Sequence, residues 1–151
     1  MKTLTKLCVI ACFSAALHGT AAAQTALSQH AEYAAIDQTM QTMMLAFEQG
    51  KAETAHQVIL KDTAVVGYSR KQQKVLNISG DEWTKGFEPA SDEDQRHRQY
   101  HILDITDTGA LVKVTLDYPE WQGVDYLALM KIDGRWRIVS KSWSGKVKPA
   151  K

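Results

Sequence analysis

Apolar positions recur along the chain with two different periods. Ile36, Met40, Met43, Met44 and Phe47 follow at steps of four, three, one and three, which is one stripe of a helix. Ser28 is placed to cap that helix and Gly50 to stop it. A second, short helix is predicted over about Glu53 to Leu60. Thr63–Ser69 and Val75–Ile78 read as strands. Ser79 and Glu82 have capping-box spacing, so a third helix is predicted from about Gly80 to Phe87, ended by Pro89. From there on the period is two. Four runs, about His97–Thr106, Ala110–Tyr118, Val124–Ile132 and Arg135–Trp143, are separated by turn signals at Thr108-Gly109, Pro119–Gly123 and Asp133-Gly134. Helices in the N-terminal part followed by a four-stranded meander define an α+β fold, with one layer of helices on one face of a curved sheet.

The hairpins predict which side chains share a face. If Asp133-Gly134 is a two-residue loop, residues whose numbers sum to 267 face each other. Leu127, Leu129, Trp136 and Ile138 then lie on the helix-covered face, with Asp125, Ser140 and Ser142 further along. Tyr126, Met130, Arg137, Val139, Lys141 and Trp143 lie outside. A two-residue loop at Thr108-Gly109 gives opposed numbers that sum to 217. That places His97, Gln99, His101, Leu103 and Ile105 on the inner face with Val112, Val114, Leu116 and Tyr118. One end of the inner face is then apolar, and the other carries His101, Gln99, Tyr118, Asp125 and Ser142. A half-apolar concavity with a few convergent polar groups is the usual form of a small-molecule site. A bulge in either hairpin would send these residues to the other face.

The first 23 residues have the pattern of a signal peptide. Lys2 and Lys6 precede an apolar run from Leu7 to Leu17, and Ala21 and Ala23 fit a cleavage site before Gln24. Residues 24–151 are then a single domain, exported to the periplasm or beyond. Val9-Ile10-Ala11-Cys12 loosely resembles a lipoprotein cleavage box, which is the alternative. Both cysteines, Cys8 and Cys12, fall in this segment, so the remaining chain has no thiol chemistry. The 151 residues carry 18 basic and 17 acidic side chains, a formal charge of +1 that gives no electrostatic case for nucleic acid.

Candidate chemistry is sparse. His101 and Asp125 can serve as a base and its orienting carboxylate, or simply as polar groups of the pocket or its rim. Gln99, Tyr118 and Ser142 would orient a ligand. Met40, Met44, Trp83 and Leu129 would form apolar walls, with Tyr68 offering a hydroxyl, although the methionines and Trp83 fit plain core equally well. His97 and His101 are four apart on a strand, about 13 Å at ~3.3 Å per residue, too far to share a metal ion. No metal or cofactor site is expected. Arg135, Arg137 and Lys141 with Tyr126, Met130 and Trp143 make an outer face suited to an interface.

The run from Asp125 to Val139, with Lys131-Ile132-Asp133-Gly134-Arg135-Trp136-Arg137-Ile138 at its centre, resembles the end of the nuclear transport factor 2-like superfamily. It is most similar to the exported group labelled "putative lumazine-binding", close to the SnoaL-like proteins. Lys61-Asp62-Thr63-Ala64 at the start of the first strand agrees. The resemblance implies a cone, with three helices packed on the concave face of a bent mixed or antiparallel sheet and a pocket in its mouth. It also implies homodimers through the outer sheet face. Superfamily members include isomerases, cyclases, dehydratases, hydrolases and modules that only bind, so the fold does not supply a reaction. Ketosteroid-isomerase-like members have a general-base Asp a few residues into the first strand, and here that place falls at or beside Gly67. A base would have to come from Asp125, His101 or another strand. The sequence reading is therefore a domain that binds a small, partly apolar molecule without catalysis. An acid–base lyase, isomerase or hydrolase using the same pocket, and an interaction subunit using the outer face, are the alternatives.

Overall fold

The computed structural model describes residues 14–70 and 72–149. The chain divides into two compact units between Ala34 and Ala35, and the second holds the sheet and everything below. Helix α1 (Ser14–Gln49) begins well before Ser28, so Ser28 is interior to the helix and not at its start. Most of the expected signal peptide, residues 1–13, lies outside the described residues, and 14–23 are helical. No described helix is long and apolar enough to cross a membrane.

Six strands form one mixed sheet: β1 (Ile59–Ser69), β2 (Lys74–Ser79), β3 (His97–Ile105), β4 (Gly109–Asp117), β5 (Trp121–Ile132) and β6 (Arg135–Val147), in the order β2-β1-β6-β5-β4-β3. Only β1 and β6 pair in parallel. Helix α2 (Ala52–Ala55) is a single turn, shorter than its sequence predicts. The reason is the β-branched pair after it: Val58 already accepts from the amide of Ile138 at 2.8 Å, so the chain is committed to the sheet. Helix α3 (Gly80–Thr84) has the expected capping box, Ser79 Oγ accepting from the Glu82 amide while the Glu82 carboxylate accepts from Ser79 N–H. It follows β2 rather than preceding the sheet, and it gives way to turns ahead of Gly86.

The apolar stripe of α1 does what its spacing predicts. Ile36, Met40, Met43 and Ala46 are fully buried and share a core with Val112, Val114, Leu127, Leu129, Trp136 and Ile138. Asp133 and Gly134, at φ of +49° and +75°, close β5 onto β6 in the two-residue turn expected of an Asp-Gly pair.

Both hairpins are bulged, and that changes which residues meet. In β5–β6 the pairs from Ile132↔Arg135 to Leu129↔Ile138 follow the predicted register. Val139 is then extra, and Ala128 pairs with Ser140. Beyond it Leu127 faces Lys141 and Asp125 faces Trp143. In β3–β4 the loop is longer than predicted, with Ile105 paired to Ala110. Leu103 is extra, so Ile102 pairs with Val112 and Tyr100 with Val114. One inserted residue exchanges the faces of everything past it. The predicted inner-face positions of His97, Gln99, His101 and Ser142, and the outer-face positions of Lys141 and Trp143, are therefore corrected.

Candidate functional site

A cavity of about 430 Å³ opens on the inner face, where β1, β4, β5 and β6 meet α3 and the end of α1. Its walls are aromatic. On one side Phe47, Trp83 and Phe87 pack edge-on and tilted, with ring centroids 5.2 to 5.8 Å apart. On the other Tyr118 lies 6.0 Å from Trp121. Val65, Leu76, Ile78, Leu116 and Trp143 extend the apolar lining, and Glu88, Arg96 and Arg98 line the cavity as well.

Two of these rings need glycine beneath them. Gly67 pairs with Trp143 across β1 and β6, and a Cβ on Gly67 would lie 2.2 Å from the indole. Gly123 and Gly145 face each other across β5 and β6, and a Cβ on either would lie 2.1 Å from Trp121. Both indoles lie flat against glycine backbone, a close approach that no other residue type permits. The first strand therefore has no room for a carboxylate at Gly67, because the Trp143 ring covers it.

The carboxylate comes from β5 instead. Asp125 and Lys141 both line the cavity, 2% and 5% exposed, with Lys141 Nζ 2.5 Å from Asp125 Oδ1. The two charges are in direct contact. Burial pushes the Asp125 carboxyl up from its ordinary value, with the Lys141 charge opposing. Burial pulls the Lys141 ammonium down, with Asp125 opposing. The ammonium also sits 5.0 Å from the Trp83 ring centroid and 5.6 Å from that of Trp143, within cation–π range.

Two guanidinium groups lie over the Tyr118 ring, Arg96 4.6 Å and Arg98 5.0 Å from its centroid. Its hydroxyl accepts from Arg98 Nε at 2.9 Å, which leaves the phenolic proton free to donate. Burial pushes that phenol up, so it stays protonated. Arg98 is also bound bidentately by Glu93, and Arg96 donates to Asp92 at 2.8 Å.

Of the residues singled out in the sequence, Trp83, Tyr118 and Asp125 line this cavity. Met40 and Leu129 lie in the core, and Met44 packs at its edge. Tyr68 is 56% exposed. Gln99, His101 and Ser142 are exposed on the outer face, so His101 and Asp125 are on opposite sides of the sheet. Lys141, Trp143, Trp121, Phe47, Arg96 and Arg98 line the cavity without having been expected there from the sequence. The adjacent apolar pairs Ile102-Leu103 and Ile138-Val139, where strict alternation slips by one, are the signal that marks the two bulges.

The sequence model of the family described as "Putative lumazine-binding" matches residues 31–144. The chain belongs to this lumazine-binding family. A curated relative, Aldolase FrzH of a Cladobotryum species, is 32% identical over 113 residues, spanning 73% of this chain and 88% of the relative. Among solved structures, a nuclear transport factor 2-like protein of unknown function from Silicibacter pomeroyi superposes with a TM-score of 0.61 at 21% identity, over 81% of this chain and 98% of its own. One from Methylobacillus flagellatus gives 0.61 at 24% identity, over 78% and 93%. These likenesses fix the fold of this lumazine-binding family member as nuclear transport factor 2-like.

Proposed function

We propose that the cavity binds a small, partly apolar carbonyl compound and that Asp125 and Lys141 catalyse proton transfer on it, chemistry of the aldol type. The buried ion pair among the lining residues carries the reading. A carboxylate in a dry, aromatic site is a stronger base than one in water, suited to removing a proton next to a carbonyl. An ammonium beside it stabilises the oxygen as it gains negative charge. Tyr118 adds a second donor. The 32% identity to a protein named an aldolase supports carbonyl chemistry, and the family description supports a small-molecule pocket.

The test is deuterium incorporation. Cyclohexanone in D2O with the wild-type protein should lose its α-proton NMR signal, and Asp125→Asn should slow this by about 10²–10⁴-fold, the usual worth of a positioned base. A wild-type rate no faster than that of an Asp125→Asn/Lys141→Met double variant would overturn it. Saturable binding without exchange would favour the domain that only binds, the reading that the aromatic lining supports next best.

Pairing of two copies through the outer face is part of the proposal. Tyr126, Met130, Leu103 and Leu111 are 40–50% exposed there. Met130→Glu should lower the sedimenting mass, and an unchanged mass would remove that element.

A further inference from the structure

We propose that Lys141 is a covalent site, its amine forming an imine with small ketones or aldehydes that enter the aromatic cavity, with Asp125 as its proton partner. The inference deepens the carbonyl reading above and rests on it.

Four observations converge on this nitrogen. Among the described residues Lys141 is the one buried lysine, and it lines a cavity large enough for a small ligand. The only charged group in contact with it among the described residues is Asp125, 2.5 Å away and itself buried. The rings of Trp83 and Trp143 lie 5.0 and 5.6 Å from Lys141 Nζ, so the nitrogen sits against the aromatic walls of the cavity. The bulge at Val139 turns Lys141 into the cavity, where an unbroken strand would turn it out to solvent.

A buried, mutually compensated pair has two proton arrangements: ammonium with carboxylate, or amine with carboxylic acid. Removal from water penalises the first and spares the second. The burial effects on both groups act in that direction. The neutral arrangement contains what imine formation requires, a nucleophilic amine and an acid beside it.

The step balances. The Lys141 amine adds to the carbonyl carbon as the C–O π bond breaks, and the oxygen takes the Asp125 proton. One nitrogen-bound hydrogen then follows to the oxygen, the C–O bond breaks, and water leaves. Amine, carboxylic acid and carbonyl become iminium, carboxylate and water, with no change in oxidation state. The iminium keeps its counter-ion, and the Asp125 carboxylate stands ready to remove the α-proton that the iminium has acidified.

The test uses the full protein with cyclohexanone, or with benzaldehyde, and sodium cyanoborohydride near neutral pH, followed by peptide mapping. The expected result is a reduced adduct on Lys141 at probe concentrations that leave the exposed Lys51, Lys61 and Lys74 unmodified. The Asp125→Asn/Lys141→Met double variant removes both charges together, stays folded by circular dichroism, and loses the adduct. Adducts spread over exposed lysines with none on Lys141 overturn the imine. If wild-type protein still deuterates cyclohexanone while Lys141 is never trapped, the imine falls and the acid–base reading stands. If neither occurs, both fall.

Discussion

The two bulged hairpins use the same device with different results. In β3–β4 the extra residue, Leu103, turns Tyr100 and Ile102 inward and puts Gln99 and His101 in solvent. In β5–β6 the extra residue, Val139, turns Lys141 and Trp143 inward and puts Ser142 in solvent. One bulge takes His101 off the inner face and brings Arg98 onto it, where it binds Tyr118, and the other delivers the buried Lys141. The polar character of the cavity is thus set by two single-residue insertions more than by the composition of the strands.

Lys141→Met isolates the charge from the packing. It strands Asp125 and should cost about 3–5 kcal/mol, whereas adding Asp125→Asn should recover most of that loss. The pH dependence has a defined sign. Burial pushes Asp125 above its ordinary 3.8 and pulls Lys141 below its ordinary 10.5. Just above 3.8 the folded chain therefore holds a proton that the unfolded chain has lost. Just below 10.5 it has lost one that the unfolded chain still holds. The stability of wild type relative to the double variant should fall as pH rises from 3.8 through the folded value of Asp125. It should climb again as pH approaches 10.5 from below. A flat difference curve would show that the pair titrates alike in both states.

How far the sequence could be read follows from the same two insertions. The helix stripe, the capping box at Ser79 and the Asp133-Gly134 turn are local signals, each set by residues within a few positions, and all three appear as predicted. Extrapolating a register is different, since one inserted residue inverts every assignment beyond it. Trp136 and Ile138, close to their turn, face the core as expected, whereas Lys141 and Ser142, past Val139, are exchanged. Asp125 was placed correctly because β5 itself has no inserted residue. The slips were written in Ile102-Leu103 and Ile138-Val139, but two adjacent apolar residues also fit a strand buried on both faces. Gly67 showed that no carboxylate stands at the place on β1 where the ketosteroid-isomerase-like base would fall. Only the structure shows that the indole of Trp143, from β6, covers that backbone.

Gly67→Ala sharpens the comparison on the side of the cavity that β1 provides. The new methyl would meet Cδ2, Cε2 and Cε3 of Trp143 at 2.2 to 2.5 Å, so the indole must tilt into the cavity. Overpacking of this kind costs about 1–3 kcal/mol. The expected result is a modest fall in urea midpoint with a larger fall in ligand affinity and a shift in tryptophan emission. Affinity unchanged alongside a lowered midpoint would place the ligand away from Trp143.

The smallest effect is the most discriminating. His101→Ala changes an exposed residue that pairs with Lys113 on the outer face of β3–β4. Surface substitutions away from special features usually fall within about ±0.5 kcal/mol. The cavity lining lies on the other side of the sheet, so cyclohexanone exchange and its pH profile should match wild type. The inner-face alternative, in which His101 orients Asp125 or shares its proton, requires a changed pH profile even where stability is untouched. A shifted profile in His101→Ala would mean that β3 slides past its bulge in solution, and the contrast between the two hairpins would fail where the structure draws it most sharply.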